Sequence, residues 1–313
     1  MALHPSAEVM VQLLHDSGLS FVPSETTPQE RRAAMIAATT NPAFPKHPLH
    51  HVSDRVIPGP TGDLPVRVFR PSDATGLPLL LWFHGGGWVT GNLDTHDQVC
   101  RKLSDEAGVV VVSVDYRLAP EAKFPAAADD CLAAYEWALA HADEVGADSA
   151  RIAIGGDSAG GNLAAVVALD ARERGLPQPR LQLLVYPVAD YELDSAAMIE
   201  NAKGYFLEAE TMVWFYELYA RTPADFAHPR FSPVRAADHS GLCRAVVITA
   251  EYDPLRDQGE VYAARLRSAG VATEHVRAEG LIHGFFGMHD FMPPGREAWE
   301  VAVAALREAL EVA

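Results

Sequence analysis

The pentapeptide Gly156-Asp157-Ser158-Ala159-Gly160 constrains the fold of this chain more than any other feature. The strand-like run Arg151–Ile154 precedes it, and a helix-like run from Leu163 to Val167 follows it. A serine at such a strand-to-helix turn usually takes a strained backbone conformation, and small residues on either side let the flanking backbones approach closely. The turn also places the hydroxyl near the positive end of a helix dipole. An ordinary glycine-rich turn is the alternative, but the flanking pattern favours an exposed nucleophilic serine at position 158.

Short apolar strands alternate with helical patterns from about residue 78 onwards. Several strand-like runs consist only of leucine or β-branched residues, as expected for strands that are covered on both faces. This alternation predicts a mostly parallel sheet with helices on both sides, which is an α/β fold. The predicted strands are Leu79–Phe83, Val109–Val114, Ile152–Ile154, Leu181–Tyr186, Ala245–Thr249 and Thr273–Arg277. The predicted helices are Ala126–His141, Asn162–Arg174, Gln258–Ala269 and Arg296–Glu311.

The N-terminal part of the chain departs from this alternation. Residues up to about 45 are predicted to form one or two amphipathic helices, with Pro28 at the start of the second. Two strand-like stretches, His51–Ile57 and Leu64–Phe69, follow and are joined by a sequence typical of a hairpin connection.

A second departure lies between Val188 and Arg235, where no strand is predicted. This segment carries aromatic residues at roughly helical spacing, including Tyr205, Phe206 and Trp214. Such a stripe usually reflects ordinary packing. Because it lies between two core strands, we expect an excursion over the carboxyl edge of the sheet, where α/β proteins bind ligands. Some of these aromatic side chains are therefore candidates for substrate contacts.

A second glycine-containing run, His84-Gly85-Gly86-Gly87-Trp88, follows the predicted strand Leu79–Phe83. Its backbone N–H groups can bind the oxyanion that forms when a serine attacks an acyl carbon, and we expect Gly85 and Gly86 to act with Ala159 in this way. A phosphate-binding role fits poorly, because the run matches neither the GxxxxGK(S/T) motif nor the GxGxxG motif of phosphate-binding loops. Trp88 is a candidate for the pocket wall, and burial in the core is the alternative.

A serine nucleophile needs a base, and His283 is the best candidate. It follows the last predicted core strand, where a loop can reach the strand ends; His289 is the alternative. The carboxylate that orients the histidine is expected in the loop after the preceding strand. Asp253 is preferred there, with Glu251 and Asp257 as alternatives.

Composition excludes several other classes. The chain has 25 basic and 42 acidic residues, a net charge of −17, which disfavours nucleic-acid and anionic-membrane partners. No apolar run is long enough for a membrane helix and the N-terminus lacks a secretory signal, so a cytoplasmic location is expected. The histidines at 47, 50 and 51 lack metal-site spacing, so no metal is expected there. No cofactor is expected either. The three cysteines, at 100, 131 and 243, are expected to be buried thiols.

Several motifs occur in the same order in a known family: His84–Trp88, Asp115–Glu121, Phe124–Ala127, Asp157–Gly160, Asp253–Asp257 and His283–Phe285. Together they make the chain similar to the hormone-sensitive-lipase family of α/β-hydrolases, specifically its bacterial carboxylesterases. The resemblance implies a catalytic triad of Ser158, Asp253 and His283, and a helical cap. The departures from the family pattern are at Cys243-Arg244 and Gln258, and neither is expected to touch the chemistry.

The division implied by the resemblance is 1–48 for N-terminal cap helices, 49–187 and 236–313 for the two parts of the α/β-hydrolase core, and 188–235 for a cap insertion. The candidate pocket residues are Trp88, Tyr205, Phe206, Trp214 and Phe285.

The resulting hypothesis is a serine carboxylesterase that hydrolyses short- to medium-chain acyl esters through an acyl-enzyme, without a cofactor. The predicted length of the substrate's acyl chain rests on the resemblance alone. The same holds for a possible homodimer paired through a sheet edge. An amidase or a deacetylase of a specialised metabolite remains an alternative, because both would use the same triad. A non-catalytic ligand receptor on the same fold is a more remote alternative, and an interfacial lipase is disfavoured by the acidic charge.

Overall fold

A single mixed sheet organises the part of the chain that the computed structural model describes, which comprises residues 2–17, 19, 23–40 and 45–312. Its strand order is β1-β2-β4-β3-β5-β6-β7-β8. The hairpin of β1 and β2 is antiparallel and joins β4 antiparallel, whereas all other neighbours run parallel. The strands are β1 His51–Gly59, β2 Gly62–Arg70, β3 Leu77–Phe83, β4 Val110–Val114, β5 Ala147–Asp157, β6 Gln182–Val185, β7 Ala245–Tyr252 and β8 Thr273–Ile282.

Helices cover both faces of the sheet. They are α1 Pro5–Asp16, α2 Pro28–Thr39, α3 Asp97–Ala107, α4 Ala126–His141, α5 Ala159–Glu173, α6 Ala196–Glu200, α7 Ala209–Tyr219, α8 Arg256–Ser268 and α9 Pro293–Ala309. Successive side chains of a strand point to opposite faces, so β3 contributes to two separate cores. Leu79 and Leu81 pack in the core with α4, α5 and α8, whereas Leu80 and Trp82 pack in the core with α3 and α9.

The α/β fold and most elements predicted from the sequence are confirmed. Helix α4 has the predicted bounds, the predicted hairpin is present, and α2 begins at Pro28 with a capping box at Thr27. Helix α3 was not among the helices predicted, although Val99, Cys100, Leu103 and Ala107 form a regular apolar stripe along it. The three cysteines are buried and free of disulfides.

The two segments outside the alternating pattern contain helices and no strand among their described positions. Residues 188–235 contain α6 and α7 and, as expected, no strand among the described positions. Within 1–48, α1 and α2 are present, while positions 1, 18, 20–22 and 41–44 lie outside the described residues. No helix in the described ranges is long and apolar enough to cross a bilayer.

Candidate active site

Ser158 lies at the sharp turn between β5 and α5. Its backbone has φ 57° and ψ −119°, a conformation that L-residues rarely adopt. Its N–H donates to the carbonyl of Val185 at 2.8 Å, which anchors the turn to β6. A Cβ atom at Gly160 would lie 1.8 Å from the carbonyl oxygen of Phe83, so only glycine fits there. Strand β3 therefore crowds the turn and holds the serine in a strained conformation at the carboxyl edge of the sheet.

Asp253 and His283 form a buried hydrogen-bonded pair at the same edge of the sheet. His283 Nδ1 lies 2.7 Å from Asp253 Oδ2, and the carboxylate is fully buried. Asp253 Oδ1 accepts the N–H of Leu255 at 2.8 Å. Because Asp253 can only accept, Nδ1 carries the proton, and Nε2 of the neutral ring is left as the proton acceptor. This arrangement fixes both the orientation and the tautomer of His283.

The alternative carboxylates have other partners. Glu251 Oε2 accepts the N–H of Gly280 at 2.7 Å, and Asp257 Oδ2 accepts the N–H of Ala197 at 2.7 Å. Of the three candidate acids, Asp253 is thus the one hydrogen-bonded to His283.

The alternative base, His289, is a packing residue. Its ring stacks on Trp299 with centroids 4.0 Å apart, and its Nδ1–H donates to the carbonyl of Phe286 at 2.7 Å. Burial lowers the pKa of its imidazole below the usual value. His289 therefore serves as a neutral, stacked ring in the core beside α9.

The sequence did not identify Tyr186, which packs against His283. The two rings are 4.4 Å apart, and Tyr186 is buried with a positive φ of 34°. Because Tyr186 directly follows Val185, which accepts the N–H of Ser158, one short segment contacts both the serine turn and the histidine. A positive φ at a bulky residue is a sign of backbone strain. No pattern in the sequence around Tyr186 indicates this strain.

In the first peptide of the oxyanion loop, between His84 and Gly85, both the C=O and the N–H form hydrogen bonds. The carbonyl of His84 accepts the hydroxyl of Tyr116 at 2.7 Å. The N–H of Gly85 donates to Asp157 Oδ1 at 3.1 Å. One of the N–H groups predicted to bind an oxyanion is therefore directed at a carboxylate instead.

The next two peptides of this loop are oriented through their carbonyls. The carbonyl of Gly85 accepts Nδ1–H of His84 at 2.8 Å, and the carbonyl of Gly86 accepts the N–H and the hydroxyl of Thr90 at 2.9 and 3.0 Å. In a trans peptide the C=O and the following N–H point in opposite directions. The N–H groups of Gly86 and Gly87 therefore point away from these partners, and neither has an acceptor within the described residues.

Burial fixes the charge state of His84, which orients this loop. The imidazole is fully buried and stacks on Tyr116 with centroids 4.2 Å apart. Burial, helped by the charge of His96, lowers the pKa of His84 to about 3. His84 is therefore neutral, and its Nδ1–H remains a donor to Gly85 over the whole neutral pH range.

The five aromatic candidates for the pocket divide into two groups. Trp88 and Phe285 are completely buried. Trp88 stacks on Tyr219 with centroids 4.5 Å apart, so its packing alternative describes the structure better than the pocket assignment. Phe285 packs against Tyr186 in the opposite core, because it follows His283 into the interior.

The other three candidates, Tyr205, Phe206 and Trp214, are partly exposed. Phe206 lies beside the loop that carries His283, since a Cβ at Gly284 would be 3.2 Å from its Cε1. Phe215, another member of the predicted aromatic stripe, has a ring that would lie 2.2 Å from a Cβ at Gly87. Aromatic rings from the 188–235 segment thus border both the histidine loop and the oxyanion loop.

Arg32 connects helix α2 to the oxyanion loop. Its Nε donates to the carbonyl of Val89 at 2.7 Å, and its Nη2 donates to the carbonyl of Ala119 at 2.7 Å. The same guanidinium binds both carboxylate oxygens of Glu121 at 2.9 and 2.7 Å. This ion pair, with burial opposing it, lowers the pKa of Glu121 to about 2. The N-terminal segment is therefore fastened to the chain directly beside the site.

The described residues contain no group of three or more His, Cys, Asp or Glu side chains that could hold a metal ion.

Comparisons with known proteins identify the family of this chain. Residues 80–287 match a protein family described as having the alpha/beta hydrolase fold. The chain is similar to the carboxylic ester hydrolase LipN of Mycobacterium tuberculosis, with 41% identity over 312 residues that cover 97% of this chain and 82% of that protein. It is also similar to the ethyl acetate hydrolase of Pseudomonas putida, with 43% identity over 251 residues, or 79% of each chain.

Solved structures show the same similarity. A hyperthermophilic esterase from the archaeon Pyrobaculum calidifontis has a TM-score of 0.93 and 42% identity, covering 98% of this chain and 99% of that one. The thermostable carboxylesterase EstE1, cloned from a metagenomic library, has a TM-score of 0.88 and 43% identity, covering 91% of this chain and 98% of that one. The chain therefore belongs to the α/β-hydrolase family and, within it, to the carboxylic ester hydrolases of the hormone-sensitive-lipase type.

Proposed function

We propose that Ser158 is the nucleophile of this ester hydrolase, with His283 as its general base and Asp253 as the residue that orients the base. The observation that carries this proposal is the 2.7 Å hydrogen bond between the buried Asp253 carboxylate and Nδ1 of His283. It leaves Nε2 free to accept a proton, and the Val185–Tyr186 segment joins this ring to the turn of Ser158.

The reaction follows from these roles. His283 Nε2 takes the hydroxyl proton as Ser158 Oγ attacks the ester carbonyl, and Asp253 stabilises the resulting imidazolium. The tetrahedral intermediate collapses when His283 gives the proton to the leaving alkoxide, which departs as the alcohol. Water then attacks the acyl-enzyme with the same histidine as base, which releases the carboxylic acid and restores Ser158.

The oxyanion donors of this proposal are the N–H groups of Gly86, Gly87 and Ala159. The first two are oriented by the hydrogen bonds of their own peptides, and Ala159 begins helix α5, where the first N–H groups have no partner within the helix. This assignment replaces Gly85 by Gly87, because the N–H of Gly85 is already bound to Asp157.

The substrates are proposed to be uncharged esters with short to medium acyl chains. Phe206 and Phe215 place apolar rings at the histidine loop and the oxyanion loop, which favours apolar acyl or alcohol groups close to the reacting carbon. The net charge of −17 disfavours anionic substrates.

A panel of matched substrates tests this function. We expect kcat/KM for p-nitrophenyl acetate, butyrate and hexanoate to exceed that for the laurate ester by about tenfold or more, which is ~1.4 kcal/mol in transition-state binding. The corresponding acetanilide should be cleaved much more slowly than the acetate ester. Faster cleavage of the anilide would show an amidase instead, and rates equal to those of the Ser158→Ala variant would contradict catalysis at Ser158.

We also propose that residues 1–48 and 188–235 form a helical cap over a core made of 49–187 and 236–313. Its support comes from both segments. Arg32 attaches α2 to the oxyanion loop, and Phe215 of α7 packs on the same loop. Deletion of 1–48 is expected to change KM and substrate preference more than the chemistry at Ser158.

A homodimer and a cytoplasmic location complete the proposal. Strand β8 forms one edge of the sheet, with no further strand beside it in the described part of the chain, so it can add a strand from a second copy. Light scattering should then give twice the chain mass of 33.8 kDa, whereas a mass of 33.8 kDa at micromolar concentration would show a monomer. Cell fractionation tests the location.

A further inference from the structure

An acidic and an imidazole side chain, Asp157 and His96, lie beside the nucleophile turn and have no role in the reaction described above. Asp157 directly precedes Ser158, and His96 directly precedes α3. His96 Nε2 lies 3.3 Å from the Asp157 carboxylate, and only 11% of the His96 side chain and 15% of the Asp157 side chain are exposed.

Asp157 bridges the two glycine-rich motifs of the site. Its Oδ1 accepts the N–H of Gly85 at 3.1 Å, so the residue before the nucleophile is hydrogen-bonded to the start of the oxyanion loop. The approach is close enough that a Cβ at Gly85 would lie 2.3 Å from Asp157 Oδ2. Burial acts to raise the pKa of Asp157, but the charge and hydrogen bond of His96 outweigh it, and the pKa lies below its usual value.

The hydrogen bonds around His96 define where its protons are. Thr95 Oγ1 donates its proton to the carbonyl of Asn92 at 2.9 Å, so it accepts from Nδ1–H of His96, also at 2.9 Å. With Nδ1 as a donor, Nε2 of His96 faces the turn: it lies 3.3 Å from the Asp157 carboxylate and accepts the N–H of Gly85 at 3.2 Å. The N–H of Gly85 is therefore shared between the Asp157 carboxylate and the His96 ring.

We propose that Asp157 and His96 are a positioning pair that sets the oxyanion loop relative to the nucleophile. Asp157 fixes the His84–Gly85 peptide, and the following peptides carry the donor N–H groups of Gly86 and Gly87. His96 packs against the Asp157 carboxylate and accepts the same N–H of Gly85, so it holds both partners of this hydrogen bond in place. Neither side chain touches the reacting atoms. This inference rests on the proposed roles of Ser158 and the loop.

The test compares variants that separate the hydrogen bond from the charge. Asp157→Asn keeps an acceptor oxygen of the same shape, whereas Asp157→Ala removes it. Likewise His96→Gln keeps an amide that can accept from Gly85 or donate to Asp157, and His96→Ala does not. Asp148→Asn, at the opposite end of β5, is the matched control for loss of a carboxylate. The readouts are kcat and KM for p-nitrophenyl butyrate and the inhibition constant of butylboronic acid, which forms a tetrahedral adduct with a reactive serine.

Asp157→Ala is expected to lower kcat by about 10- to 100-fold and to raise the inhibition constant of butylboronic acid by a similar factor. KM should stay within about twofold of wild type. Asp157→Asn should recover most of both losses, and His96→Gln should recover most of the smaller loss in His96→Ala. The proposal is overturned if Asp157→Ala keeps kcat within about twofold, or if Asp157→Asn is as impaired as Asp157→Ala. If Asp157→Ala does not fold, the Asn variant and the His96 pair decide by the same criteria. Activity in Ser158→Ala would instead reject the proposed function itself.

Discussion

The nucleophile turn and the oxyanion loop are both rich in glycine and both follow a parallel strand, yet they are held in place by different forces. Both regions contain crowded glycines, but backbone contacts hold the turn: a Cβ at Gly160 would lie 1.8 Å from the carbonyl of Phe83, and the N–H of Ser158 donates to Val185. Hydrogen bonds hold the loop, from His84, Thr90 and Asp157. Replacing a crowded glycine should disrupt either region, whereas removing one side-chain hydrogen bond should change the geometry of the loop only in part. The two regions should therefore respond differently to mutation.

The largest effect is expected from Ser158→Ala. If the turn exists to present this hydroxyl, kcat should fall on the order of 10⁴-fold or more without loss of folding. Steady-state kinetics and circular dichroism measure the two properties. Ser113→Ala, at a buried serine of β4, serves as the control and should keep its activity. A Ser158→Ala variant with more than about a tenth of wild-type turnover would remove the nucleophile from this account.

Gly160→Ala tests the crowding of the turn. The added methyl group has to displace the backbone of β3, so we expect the free energy of unfolding to fall by about 3 kcal/mol, or the protein to fail to fold. Urea denaturation measures the change. The matched control is Gly287→Ala, where the nearest atom, of Val99, would be 3.8 Å from the new Cβ. Equal stability of the two variants would argue against steric control of the turn.

This difference also explains what could be predicted from the sequence. Crowding leaves a local signature, because small residues must stand at fixed positions around Ser158. Spacing after the strands likewise selected Asp253 and His283 ahead of their alternatives. The partners of Gly85 are distant in sequence, since Tyr116 binds the carbonyl of its peptide and Asp157 binds its N–H. Which glycine N–H remains available therefore depends on tertiary contacts that no local pattern reveals.

The aromatic residues show the same limit. Trp88 and Phe285 lie within recognisable motifs but are buried on opposite faces of the sheet. Trp214 and Phe215 are neighbours on α7, and the rotation of that helix decides which ring meets Gly87. Hydrophobicity alone identifies all of these as apolar but cannot assign them to a pocket.

Thr90→Val tests the hydrogen-bonded loop with a smaller change. It removes the hydroxyl that donates to the carbonyl of Gly86 at 3.0 Å, while the backbone donor of Thr90 remains. Loss of one such bond is worth ~1 kcal/mol, so kcat should fall by about fivefold with little change in KM. Thr90→Ser keeps the hydroxyl and should retain wild-type kcat. A large change in KM together with an unchanged kcat would contradict a role in positioning the donor of Gly87.

The smallest effect is expected at the contact between α2 and the loop. Arg32→Ala removes a largely exposed ion pair with Glu121 and donors to two carbonyls, so stability should fall by ~1 kcal/mol or less. Hydrogen exchange should increase first in residues 28–39. Because the pKa of Glu121 is lowered to about 2, the ion-pair contribution is complete above the usual pKa of 4.5 and is lost as the pH falls toward 2. The difference in the free energy of unfolding between wild type and Arg32→Ala should therefore shrink over that range. A difference that grows on acidification would contradict the assigned ion pair.

The central claim is that a strained Ser158 faces N–H groups of Gly86, Gly87 and Ala159. The most direct measurement is a crystal structure of the protein after reaction with an alkyl fluorophosphonate. The account predicts one covalent adduct on Ser158 Oγ, with the phosphoryl oxygen about 2.7–3.1 Å from these three nitrogens. An adduct on another residue, or a phosphoryl oxygen bound by Gly85 instead of Gly87, would contradict it.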